Sequence, residues 1–282
     1  MTTIDPAGGG VRTESPYDGM TAAVGTLHGK ERQLEPALRR WHGVRVVATR
    51  EVNTDQWGTF TGERPRQVAP AEAARLKAEA ATDELGASLG IGTEASFASV
   101  LGFGPPVHEE IVVFVDRARG IHITETHRRF SHVPPPRTAA TPAEARVLLS
   151  ALGYPSHGAV IRGSRGEVVK GVQTFEPVSR MLSTGRVTIE ADLRAHMNPT
   201  RQRVIRRLAW RLSARLRCQC PACGTPGYGI VGSERGAPCA ACGTPTHVMR
   251  ADVWGCASCP HREEVARRAR TADPGRCDAC NP

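Results

Sequence analysis

No run of 18 consecutive apolar residues occurs in the 282-residue chain, so no segment reads as a membrane-spanning helix. A targeting pattern, basic and then apolar, is missing from its start as well. Lysine is scarce: it stands only at 30, 77 and 170, leaving 34 arginines among the 37 basic residues. The net charge of +9 points to an anionic partner, although arginine beside so much alanine also fits a coding bias. Aromatic residues make up 5% of the chain, which argues against a stacking platform for single-stranded nucleic acid. The first 19 residues carry Pro6, Gly8-Gly9-Gly10 and Pro16 without apolar periodicity, and disorder is expected there.

Cysteine is plentiful, and all of it lies late. Four pairs share one internal spacing: Cys220/Cys223, Cys239/Cys242, Cys256/Cys259 and Cys277/Cys280, with Cys218 as a ninth. A two-residue gap lets a tight turn aim both sulfurs at one ion, and two such knuckles complete a tetrahedral four-thiolate zinc site. The eight ligands predict two structural zinc ions. A disulfide framework would need an oxidising compartment, and nothing here directs the chain to one; the expectation is cytoplasmic. The tail is poor in apolar groups, so burial alone does not offset its ordering entropy and the metal should fold it. The run from Cys239 to Cys259 reads knuckle, strand (Thr246–Met249), strand (Val253-Trp254), knuckle, which pairs the second with the third and the first with the fourth. Sequential pairing, first with second and third with fourth, is the alternative. His247 and His261 are expected at the surface.

Upstream, the pattern is that of an α/β protein: a mixed central sheet with flanking helices over residues 20–199, a basic amphipathic helix over 200–217, and a zinc-ribbon-like module over 218–282. Thr21–Val24, a glycine-bearing turn, a helix carrying Leu34, Leu38 and Trp41, and the strand Val44–Ala48 make a βαβ opening. Its turn, Gly25 to Glu31, lies at a strand's carboxyl end, where helix-start amides and Lys30 could hold phosphate. A surface turn is the plainer alternative, since the Walker pattern is absent. Pro70–Leu85 is a helix ended by Gly86. A strand, Leu89–Gly92, then delivers Glu94 just past its end. Strands follow at Glu110–Asp116 and Gly120–Thr126, and Ser131–Thr141 reads as a linker. Thr141-Pro142-Ala143-Glu144 is a capping box that starts a helix to Leu152. A hairpin around Gly163–Gly166, a short helix at Pro177–Leu182 and a strand at Arg186–Glu190 come next. Glu190, Asp192, Arg194, His196, Asn198 and Arg201 form a polar cluster that is either a site or a helix-entry loop. The helix that follows carries Arg203, Arg206, Arg207, Arg211 and Arg215 beside one apolar stripe, either a solvated face or a nucleic-acid backbone surface.

Two resemblances arise from these residues. TAAVGTLHGKE, GTFTGERPR, ADLRAHMNPTR, CPACG and CDACNP, taken in order, resemble an uncharacterised bacterial family, a domain of unknown function with a cysteine-rich C-terminus. Residues 21–125 distantly resemble the inosine triphosphate pyrophosphatase superfamily. Its phosphate turn is similar to Gly25-Thr26 through Lys30-Glu31. Its E-N-A-x-x-K-A helix is similar to Glu72 through Ala78, with Ala73 in place of the asparagine. Its strand ending in an acidic turn is similar to Gly92-Thr93-Glu94-Ala95-Ser96, where one glutamate stands for two aspartates. The resemblance implies magnesium-dependent hydrolysis of a nucleoside triphosphate. Glu72 and Glu94 would hold magnesium and orient water, and Thr26, Lys30 and Lys77 would bind phosphate. A non-catalytic nucleic-acid- or protein-binding protein is the alternative.

Overall fold

The computed structural model describes residues 15–26, 29–51, 57, 68–98, 104 and 106–282. It divides into two compact units: Met1–Asp116 with Thr124–Arg211, and Arg117–Ile123 with Leu212–Pro282. Among the described residues no helix is long and apolar enough to cross a membrane. The GTFTGERPR stretch lies outside them, as does His28 of the first turn.

The first unit opens with β1 (Thr21–Val24), α1 (Glu31–His42), β2 (Arg45–Ala48) and α2 (Pro70–Leu85). Three ten-residue strands follow: β3 (Leu89–Ala98), β4 (Val107–Asp116) and β5 (Ile121–Phe130). With β1 and β2 they build one five-stranded sheet in the order β2-β1-β3-β4-β5. β1 runs parallel to both β2 and β3, whereas β3 and β4 pair antiparallel from Leu89↔Asp116 to Ala98↔Val107. The sheet is therefore mixed, as the sequence suggests. α1 seals one face by burying Leu34, Ala37 and Leu38, and Gly43 in the left-handed conformation ends it.

The other face needs close contact. α2 turns an alanine stripe inward (Ala73, Ala74, Ala78, Ala81), and the strands answer with glycine. A Cβ on Gly92 would stand 1.7 Å from the Ala74 carbonyl oxygen, one on Gly90 2.6 Å from that of Ala78, and one on Gly25 2.7 Å from that of Lys77. Small residues on both sides let the helix backbone settle onto the sheet.

A second, antiparallel sheet follows in the same unit, in the order β6-β9-β7-β8. Its strands are β6 (Arg137–Ala139), β7 (Ala159–Gly163), β8 (Val168–Val172) and β9 (Val187–Ala191). α3 (Pro142–Ala151) and α4 (Glu176–Leu182) supply Ala145, Leu149, Val178 and Met181 to its core. The capping box at Thr141 is formed, with its hydroxyl accepting from the Glu144 amide at 3.2 Å. The stretch read as a linker contains β6. α5 (Pro199–Leu216) begins in this unit, which ends within it at Arg211, and the Asn198 side chain caps it by accepting from the Arg201 amide at 3.0 Å.

Residues 15–19 depart from the expected disorder. Tyr17 is fully buried, edge-on to Phe114 at 5.5 Å and to His42 at 6.1 Å. A single aromatic ring with a ready pocket orders a segment whose composition reads as unstructured.

The second unit holds a three-stranded antiparallel sheet, β10 (Gly229–Arg235), β11 (Met249–Gly255) and β12 (Arg262–Ala266). The two short strands expected between the second and third knuckles are replaced by one, β11. Thr246 instead turns its hydroxyl back to the Ala237 carbonyl at 2.8 Å.

Candidate functional site

The cysteines gather in two clusters of four. Cys220, Cys223, Cys256 and Cys259 form one, and Cys239, Cys242, Cys277 and Cys280 the other, with all ligand atoms of a cluster within 4.8 Å of one another. Sulfur separations of 3.7 Å (Cys220–Cys259), 3.6 Å (Cys223–Cys256), 3.9 Å (Cys239–Cys280) and 3.6 Å (Cys242–Cys277) are far beyond a disulfide bond. A tetrahedral ion with thiolate bonds of about 2.3 Å would set its sulfurs about 3.8 Å apart. The donor sets fit a metal ion each.

This pairing, first with third and second with fourth, corrects both alternatives drawn from spacing. The reason is a repeat. Cys220-Pro-Ala-Cys223-Gly-Thr-Pro and Cys239-Ala-Ala-Cys242-Gly-Thr-Pro are two copies of one knuckle. In each, the first cysteine amide donates to the threonine carbonyl at 2.9 Å, and the glycine (Gly224, Gly243) adopts a left-handed φ, 73° and 76°. The hydroxyls of Thr225 and Thr244 each lie 3.2 Å from the second sulfur and hold the Cys223 and Cys242 thiols down to about 6, favouring the thiolate that ligates. Two equivalent first halves each require their own second half, so the later pairs must be shared out between them. Cys218 stays outside both clusters, 3.6 Å from the Ala214 carbonyl, and burial pushes its thiol up. His247 is exposed beside Asp278, but His261 is only partly so, its ring 5.7 Å from that of Tyr228.

A second concentration of chemistry lies in the first unit, where β3 continues past the end of β1. Val24 is opposite Ile91, so Thr93 and Glu94 project beyond β1's carboxyl end. Both stand within β3, not past it, because β3 pairs with β4 over its whole length. Alternation along a strand sends them to opposite faces. Glu94 shares the face of Gly90 and Gly92, against which α2 lies closely, and there it forms a buried ion pair with Lys77. Thr93 turns to the other face and accepts from the Lys30 ammonium at 2.5 Å. Glu72, in the first turn of α2, is held by Arg75 at 2.5 Å and 2.9 Å. Thr26 is buried after β1.

On the Lys30 face the structure adds residues that the sequence reading left unassigned. Glu110 lies on β4 opposite Ala95 and is fully buried. Arg201 of α5 grips it with two bonds, 2.9 Å and 2.8 Å, and donates a third to the Leu193 carbonyl at 2.6 Å. His108, two residues away on the same face, adds a ring nitrogen at 3.0 Å and stacks on Phe97 at 4.4 Å. Burial opposes ionisation of Glu110, but Arg201 above all, then His108 and Lys30, outweigh it and hold the carboxyl down to about 2. Lys30 shows the converse balance. Burial and then Arg201 push its ammonium down to about 8, against weaker support from Glu110 and Glu94. Only the strand alternation that places an acid at 110 and a histidine at 108 hinted at this pairing.

The polar run from 190 to 201 serves both as helix entry and as lining. Arg194 clamps Asp192, whose carboxylate also accepts from the Gly171 amide at 2.9 Å. Asp192, Asn198 and Arg201, with Phe97, His108 and His157, line a recess of about 110 Å³.

Among known families, a domain of unknown function, DUF6671, matches residues 77–282. The chain belongs to that family. The DUF6671 span includes Lys77, Glu94, Glu110, Arg201 and all eight clustered cysteines, while Thr26, Lys30 and Glu72 precede it. No curated protein and no solved structure matches the chain.

Proposed function

We propose that the first unit is a magnesium-dependent hydrolase of nucleoside triphosphates and that the second is a module folded around two structural zinc ions. One observation carries the hydrolase reading: beyond the carboxyl end of β1, neighbouring positions of β3 and β4 hold Lys30 on Thr93, Lys77 on Glu94 and Arg201 on Glu110, all buried. Crevices at the carboxyl ends of parallel strands are where α/β sheets receive ligands. Two lysines, of only three in the chain, are buried there. A triphosphate offers them stronger partners than Thr93 and Glu94. As its oxygens become the counter-ion of Lys77, the Glu94 carboxylate is released to accept a proton from water. That water attacks the α-phosphorus, the bond to the bridging oxygen breaks, and monophosphate and pyrophosphate leave. Glu94, with Glu72 once it leaves Arg75, would hold a magnesium ion, which would supply charge neutralisation. The base occupies the recess beside Phe97 and His108.

Zinc suits the cysteine clusters because four thiolates close the coordination sphere and need no redox chemistry. Reduced thiols fit a cytoplasmic setting. The test of the hydrolase is release of pyrophosphate from nucleoside triphosphates with magnesium or manganese. Turnover giving monophosphate and pyrophosphate together is expected, and Glu94→Gln should lower kcat by roughly 10²–10⁴ with the circular dichroism of the folded chain retained. No turnover of any purine or pyrimidine triphosphate sinks the reading.

A further inference from the structure

The first unit carries a second cationic feature, separate from the buried cluster. On α5, Val204, Ile205, Leu208, Ala209 and Leu212 are buried while Arg203, Arg206, Arg207 and Arg211 are exposed. At about 100° per residue these four arginines fan over an arc of about 140°, opposite the buried stripe. β5 extends the patch. It is the edge strand of its sheet, and from Arg128 to Phe130 its side chains are exposed. Arg211 ties the two elements together by pairing with Glu125 at 2.7 Å and donating to the Thr126 carbonyl at 3.0 Å. Among the described residues, Arg206, Arg207 and Arg129 have no carboxylate partner.

His127 reports how densely the cations crowd. Burial first, then His108, Arg207, Arg129 and Arg211, push its ring below the ordinary histidine range. A protein that leaves so many guanidinium groups uncompensated on one rigid surface has a polyanion to meet. Guanidinium forks suit phosphate oxygens. A straight helix sets Arg203, Arg207 and Arg211 in a row about 6 Å apart along its axis, matching a stiff repeating backbone rather than a flexible acidic peptide.

We infer that α5 and the edge of β5 form a docking surface for the sugar–phosphate backbone of duplex nucleic acid, read without regard to base sequence. This is independent of the triphosphate site: either can fail alone. The surface uses arginines that the hydrolase leaves untouched.

The test uses the full, zinc-loaded chain and a labelled duplex of about 20 base pairs, long enough for two helical turns, followed by fluorescence anisotropy across a salt series. Arg203→Gln, Arg206→Gln and Arg207→Gln are combined; Arg211 is spared because it neutralises the buried Glu125. A control of equal charge replaces the exposed Arg137, Arg165 and Arg186, which lie on the second sheet and its turns. The expected result is binding of the wild type that weakens steeply with salt. The α5 variant should bind at least about tenfold more weakly, with a salt slope shallower by about 2.7 at about 0.9 per lost contact, and the control should follow the wild type. Equal losses in both variants would reduce the effect to net charge and overturn the proposal. So would absence of binding at low salt, or equally tight, patch-dependent binding to anionic lipid vesicles or polyaspartate.

Discussion

Lys30 carries a cost that its position makes measurable. Its ammonium is buried, and burial followed by Arg201 lowers it from 10.5 to about 8. Below about pH 8 the folded chain must hold a charge that water would solvate better. Between pH 8 and 10.5 the folded form has lost the proton while the unfolded chain keeps it, so stability rises with pH across that window. The gain is on the order of 3 kcal/mol, since a tenfold change in proton affinity is worth about 1.4 kcal/mol. Lys30→Met should flatten this slope, read from urea midpoints at closely spaced pH values. An unchanged slope would mean that the ammonium is solvated in the folded chain. Such a residue is legible in sequence only as a lysine after a glycine turn. The charges that act on it there, Glu110 and Arg201, lie 80 and 171 positions further on, which no local pattern could connect to it.

At the level of elements, Glu110 and Arg201 clasp the middle of β4 to the first turn of α5. Glu110 ionises well below its ordinary range, so the stability it contributes is present above about pH 4.5 and lost as pH falls toward 2. Glu110→Gln leaves Arg201 buried without its charge partner and should cost about 3–5 kcal/mol at neutral pH. Glu110→Gln combined with Arg201→Met should recover much of that loss in denaturant unfolding; no recovery would show that the two act apart. The knuckles allow a sharper test. Cys223→Ser with Cys256→Ser strikes one cluster twice, so metal analysis should still find about one zinc per chain. Cys223→Ser with Cys242→Ser strikes both and should leave none. Sequential pairing demands the reverse. The helices Pro70–Leu85 and Pro142–Ala151 were readable from proline, glycine and capping signals that act within a turn. Knuckle pairing is a matter of long loops, and spacing is silent on it; the repeated Cys-x-Ala-Cys-Gly-Thr-Pro held the answer.

Over the whole molecule, periodicity pointed to the mixed α/β class and cysteine spacing to two four-cysteine clusters that could each hold a metal ion. Periodicity missed that the second half of the first unit builds a sheet of its own, since strand partners are chosen by register and not by pattern. Interleaved clusters also impose a schedule. On a chain made from its N-terminus, the first cluster can close once Cys259 has emerged, whereas the second waits for Cys280, 21 residues later. At about 5–20 residues per second that is a delay of roughly 1–4 s. During it, Cys239 and Cys242 form a finished half-site whose proper partner does not yet exist, next to a cluster made of the same knuckle. Earlier still, between the emergence of Cys242 and that of Cys259 17 residues later, a zinc ion meets Cys220, Cys223, Cys239 and Cys242 before the first proper set is complete. Slow synthesis through the third knuckle is therefore expected to favour misloaded chains.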